Sequence, residues 1–131
     1  MSSEDDATVS DDDELLRRVP PNMISRKEGQ GTLEVSSAAF TNPSDGSGMS
    51  VVIRSALIAG GGCIEEVLAG YEGFGLVSIQ VASVREQNQM VVRKPLPENP
   101  AHGEVIGQKT RGVRRALKQS AKLIIQPRSK V

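Results

Sequence analysis

The stretch TRGVRRALKQSAKLI, residues 110–124, decides how the rest of the chain is read. Val113, Ala116, Leu117, Ala121 and Ile124 recur at three- and four-residue spacing, the pattern of a helix with one apolar stripe. Thr110 is suited to cap its start and Pro127 to enforce its end, which predicts about 15 residues, or four turns. On the outward face Arg111, Arg115, Lys118 and Lys122 form a basic stripe, with Arg114 beside it. A helix divided in this way needs an apolar surface to lie on, and the segments before it read as strands.

Working back from the helix, His102 to Ile106 reads as a short strand and Pro95 to Pro100 as a stiff extended connection, since proline fixes the backbone and cannot donate to a ladder. Met90 to Lys94 is a further strand, preceded by one or two helical turns within Ser83 to Gln89. Leu76 to Val84 alternates most clearly, with Val77, Ile79 and Val81 on one face, and is expected inside the sheet. The three glycines Gly60 to Gly62 predict a helix that starts only after them and stops at Gly70. Met49 to Ile53 is a β-branched strand, joined by a turn-rich loop from Asn42 to Gly48 to a strand over Thr32 to Phe40. Leu15, Leu16 and Val19 make a short apolar patch, strand or helical turn, closed by Pro20-Pro21. The expected architecture is therefore an α+β domain over residues 14–127: four to five short strands in a largely antiparallel sheet, with the terminal helix packed on one face.

The formal net charge of zero conceals a segregation. Glu4, Asp5, Asp6 and Asp11 to Glu14 precede the first cation, whereas the last eight charges, Lys109 to Lys130, are all basic. Residues 1–13 hold too little apolar surface to offset the entropy of ordering, and composition predicts a disordered acidic tail there and a second short tail at 128–131. That tail is expected to neutralise part of the basic stripe. The stripe itself points to a macromolecular partner, nucleic acid or an acidic protein surface, although three aromatic residues are few for base stacking. A lone cysteine, Cys63, precludes an internal disulfide and completes no metal site, which points to a reducing, cytoplasmic setting without a metal. No segment approaches the roughly 20 apolar residues of a membrane span, and Met1 to Ser10 has neither a basic nor an apolar stretch, so neither secretion nor membrane spanning is expected. Oligomeric state is left open.

His102 and Glu104, two apart on a strand, face the same way and can act as base and orienting carboxylate. A zinc deaminase also uses His-x-Glu, but Cys63 alone lacks the Pro-Cys-x-x-Cys partner. Ser36, Ser37 and Ser55 carry no nucleophile-elbow glycines, and Gly60 to Gly62 lack the Lys-Ser/Thr of a phosphate loop.

The phrases Val35-Ser36-Ser37-Ala38-Ala39-Phe40 and Pro97-Glu98-Asn99-Pro100-Ala101-His102, with the basic terminal helix, resemble a group of small bacterial proteins to which no activity attaches. The likeness spans roughly residues 15–125, one small domain. A fainter similarity is to ADP-ribosyltransferase-like folds, and it implies that Arg18, Ser37 and Glu104 surround NAD. The leading expectation is an accessory or binding module without a cofactor, its basic helix turned to the partner. The alternative is a small enzyme in which His102, Glu104, Arg18 and Ser37 converge in a cleft.

Overall fold

The structure, a computed structural model, describes residues 5–26 and 33–127. Along the described chain run β1 (Glu14–Val19), β2 (Ile24–Arg26), β3 (Leu33–Val35), β4 (Met49–Ile53), α1 (Arg54–Ala59), β5 (Gly75–Gln80), α2 (Val81–Glu86), β6 (Met90–Arg93), β7 (His102–Ile106), α3 (Arg111–Ser120) and β8 (Lys122–Ile125). Six of the strands form one antiparallel sheet in the order β6-β7-β4-β1-β5-β8, while β2 and β3 pair separately. The α+β class and the antiparallel sheet agree with the sequence reading, but the sheet has six strands rather than four to five.

The two additional strands explain the difference. In β1, Leu15 and Leu16 are both fully buried, because the strand pairs with β4 on one side and β5 on the other and both of its faces are covered. A strand buried on both faces loses the alternation by which strands are recognised. β8 was concealed inside the helical pattern. Ala121 is already extended (φ −78°, ψ 142°), and Leu123 and Ile125 pair with β5, so α3 has ten residues and ends at Ser120. The β-branched pair Ile124-Ile125 suits an edge strand better than a fifth helical turn.

Other boundaries move for similar local reasons. The strand expected over Thr32 to Phe40 is confined to Leu33–Val35, after which the Ser36 hydroxyl caps a single 3-10 turn, Ser37–Ala39. The helix expected after the glycine run lies before it, in the good helix formers Arg54–Ala59. Ile64–Leu68 after the run is a 3-10 turn. Pro95 to Pro100 is a tight turn closed by a bridge between Leu96 and Asn99.

From Asp5 onward the acidic start lies against the domain. Residues 1–4 and the tail at 128–131 lie outside the described residues. Val9 is fully buried in the larger core cluster, with Leu15, Phe40, Met49, Ile53, Val84 and Leu117 among its members. The Asp6 amide donates to the Val91 carbonyl (2.8 Å), and the Val91 amide donates to Asp5 Oδ1 (2.8 Å). These two bonds cover the outer edge of β6, which otherwise presents free ladder groups. Val81 N and Ala82 N, the unsatisfied first-turn donors of α2, give their hydrogens to the carbonyls of Asp13 and Asp11. Asp5 and Asp11 flank Arg85, and Asp6 lies 3.7 Å from Arg93. Among the described residues the acidic segment thus neutralises α2 and β6 rather than the stripe on α3.

Two clusters occupy the two faces of the sheet. The first holds Leu15, Val19, Met49, Val51, Ile53, Val77, Ile79, Val91 and Val105, with Leu117 of α3 and Phe40 against them. The second is smaller: Leu16, Val52, Leu76, Val67 and Ala101, with Leu57 and Leu68 packed on it. Among the described residues no helix is long and apolar enough to cross a membrane.

Candidate active site

The second face is only partly covered. α1 and the 3-10 turn Ile64–Leu68 roof one side, the Leu96–Ala101 turn walls the other, and between them lies an open cavity of about 650 Å³. Val52, Ala56, Leu57, Val67, Leu96 and Ala101 give it apolar walls. Its floor is the sheet, where residues of alternate parity on three neighbouring strands point into it.

Ser50 of β4 and His102 of β7 meet on that floor. The ladder sets Ser50 opposite Glu104 and Val52 opposite His102, so Ser50 and His102 are diagonal neighbours on one face. Ser50 Oγ is 2.7 Å from His102 Nε2, and His102 Nδ1 is 2.8 Å from the Lys94 carbonyl oxygen. A carbonyl oxygen only accepts, so in the neutral ring the hydrogen sits on Nδ1 and Nε2 presents its lone pair. The serine hydroxyl then donates to Nε2. This is the geometry of a nucleophile held by a general base whose second nitrogen is fixed by a third group. Here that third group is a backbone carbonyl, positioned because Lys94 and His102 close the turn that joins β6 to β7.

Arg18 enters from β1. β1 pairs with β4 through Leu15–Ile53 and Leu16–Val52, and beyond those pairs Arg18 and Ser50 line the same cavity. Arg18 Nε donates to the Val67 carbonyl (2.6 Å), and its guanidinium carbon lies 4.2 Å from the centre of the Tyr71 ring. Tyr71 in turn meets Phe74 edge-on, with centroids 5.2 Å apart. The guanidinium is therefore fixed at Nε and on one flat face, with no carboxylate paired to it among the described residues. Two acids of the lining, Glu66 and Glu98, are exposed.

Of the residues singled out in the sequence, His102 and Arg18 line this cavity. Glu104 shares the face of His102, but its Oε1 accepts from the Gly48 amide (3.1 Å), so the carboxylate anchors the loop before β4. Ser37 is not brought to the other three: it opens a turn whose Ala39 and Phe40 sink into the cluster on the opposite face. Ser36 caps that turn, and the Ser55 hydroxyl is taken by Asp13. On α3, Arg111 and Arg115 are exposed, Lys118 pairs with Glu34 (2.6 Å), Arg114 is half-buried, and Lys122 belongs to β8. Among the described residues no group of three potential ligands gathers to hold a metal.

Ser50 and Tyr71 escaped the sequence reading. Ser50 is one polar residue in the strand Met49–Ile53, and only the pairing of β4 with β7 reveals its neighbour. A usable signal was present in parity: Ser50 breaks an otherwise apolar strand, as His102 and Glu104 break another. Comparison with protein-family models, with curated proteins and with solved structures finds no match. The resemblances noted above rest on their quoted phrases alone.

Proposed function

We propose that the chain is a small serine hydrolase that cleaves esters, with Ser50 as nucleophile, His102 as general base and the Lys94 carbonyl as the group that orients the imidazole. The observation that carries this reading is the 2.7 Å contact of Ser50 Oγ with His102 Nε2 at the floor of the cavity, with Nδ1 tied off behind it. In the reaction, Ser50 Oγ adds to the ester carbon while its proton passes to Nε2. The bond to the leaving alcohol breaks as that proton moves on to the leaving oxygen, giving an acyl-serine. Water then adds to the acyl carbon, yielding its proton to Nε2, and the acid departs as Ser50 recovers the proton.

The test is covalent labelling with a fluorophosphonate probe, read by intact mass and peptide mapping, beside hydrolysis of short-chain ethyl esters. Label on Ser50, absent in Ser50→Ala and lowered about 10²–10⁴-fold in His102→Ala, is expected. An unlabelled Ser50 in a folded protein that turns over no ester defeats the reading.

A second reading is favoured by one feature of α3, the exposure of Arg111 and Arg115 while the acidic segment is engaged elsewhere. In it the protein is an accessory module: α3 lies across the first face of the sheet, supported by the burial of Leu117, and turns its cations to nucleic acid or an acidic protein. Retention on heparin at low salt that falls in Arg111→Gln/Arg115→Gln is its expected outcome, and unchanged retention removes it.

A further inference from the structure

We infer that Arg18 is the specificity residue of the cavity and that the substrate is an amphipathic monoanion: an ester with an apolar body and one carboxylate or phosphate group. The inference deepens the hydrolase reading and rests on it for the ester. The anion rests on Arg18 alone.

Three observations converge on this assignment. The guanidinium of Arg18 is held by the Val67 carbonyl at Nε (2.6 Å) and by the Tyr71 ring on one face (4.2 Å), contacts that orient it without neutralising it. A planar fork held at one edge offers its other donors to a planar oxyanion, the arrangement in which arginine outperforms lysine. The other half-buried arginines of the sheet, of α1 and of α2 differ from it. Arg85 has Asp5 and Asp11, Arg54 has Glu14, and Arg17 spends its donors on the carbonyls of Ala39 and Ser50. Arg18 alone of these combines a wall position in the cavity with no acid on its fork. The cavity also has aliphatic walls, through Val52, Leu57, Leu96 and Ala101, which suit the uncharged part of such a molecule. Arg18 and Ser50 line the same cavity, and a smaller cavity of about 160 Å³ is lined by both, so one small molecule can reach the guanidinium and the hydroxyl together.

The experiment uses monoethyl succinate and its neutral counterpart diethyl succinate, which differ by one charge. Binding is read on the Ser50→Ala protein by isothermal titration calorimetry, so that affinity is measured without turnover and without a probe on Arg18 itself. Preference for the monoester of at least tenfold is expected, lost in Ser50→Ala/Arg18→Gln and weakened severalfold in Ser50→Ala/Tyr71→Leu, which keeps the guanidinium but removes its platform. In the protein with Ser50 intact, Arg18→Gln is expected to raise KM for the monoester at least tenfold more than for the diester. Equal affinity for the two esters overturns the assignment. So does an Arg18→Gln effect confined to kcat and equal for both esters, the mark of a group that stabilises developing charge instead. If the charge preference is present but neither ester is hydrolysed, the hydrolase reading fails and the anion site stands.

Discussion

Replacing Val9 by alanine tests whether the acidic start is part of the fold or an appendage. The side chain is fully buried in the larger cluster, so the substitution removes two methyl groups from a packed interior. At about 0.8 kcal/mol per buried carbon, plus the cavity left behind, the loss is about 2 kcal/mol. Deleting residues 1–13 is more severe. It removes the whole Val9 side chain, the two hydrogen bonds on the edge of β6, the carbonyls that cap α2 and both carboxylates beside Arg85. With about 1 kcal/mol for each net hydrogen bond, the total comes to roughly 5 kcal/mol, a large share of the roughly 5–15 kcal/mol that holds a domain together. Urea titration at neutral pH, followed by far-ultraviolet circular dichroism, measures both quantities. For a chain of this length Val9→Ala is expected to lower Tm by about 6–10 °C. Val9→Ala within 0.5 kcal/mol of the parent, or a truncated chain as stable as the full one, refutes the reasoning and restores the compositional picture of a free tail.

Three further outcomes follow from local geometry. Gly103→Ala sets a methyl carbon 2.8 Å from Ile53 Cδ1 and 2.9 Å from the Val92 carbonyl, and since the carbonyl cannot yield, a loss of about 2–3 kcal/mol in urea is expected; a neutral substitution shows that β4, β6 and β7 pack less closely than described. Thr110→Ala removes the hydroxyl that accepts from Val113 N (3.2 Å), for a loss of about 1 kcal/mol in the same titration, and an unchanged midpoint shows that the cap contributes nothing. Burial, and then the charge of Arg17, lower the Lys109 ammonium to about 8 from 10.5, so between those pH values the unfolded chain binds more protons and stability rises with pH. The rise, discounted for a half-exposed ammonium, is about 1–2 kcal/mol, and Lys109→Met is expected to flatten it; parallel pH profiles of parent and variant exclude Lys109 as its source.

The fold class was legible because Val77 and Ile79 of β5 recur at period two, because β6 and β7 carry the β-branched pairs Val91-Val92 and Val105-Ile106, and because Val113 and Leu117 share a helical face. What was illegible is explained by tertiary context. β1 reads as ELLRRV because both of its faces are used, which removes alternation. β8 continues a helical pattern until backbone pairing with β5 takes over at Lys122. The acidic start looks unable to fold because its stabilising partners, Val91 and Arg85, lie some eighty residues away. The candidate site shows the same division. His102 was visible through its same-face spacing from Glu104 and Arg18 only through the faint resemblance to ADP-ribosyltransferase-like folds, but Ser50 acquires meaning only from a register that no local window contains.

The order β6-β7-β4-β1-β5-β8 has a consequence for how the chain reaches this state. β1 precedes both of its neighbours, one beginning at residue 49 and the other at residue 75, and it stays unpaired until each has been assembled. Within this sheet only the β6–β7 ladder joins strands that follow one another directly, so that hairpin is the part of the sheet able to organise by itself. The remaining ladders close loops tens of residues long, which slows the search for the native topology. Collapse is therefore late and nearly simultaneous, and a nascent polypeptide leaving a ribosome would carry an unsheltered ELLRRV segment through most of its synthesis, a natural target for a chaperone.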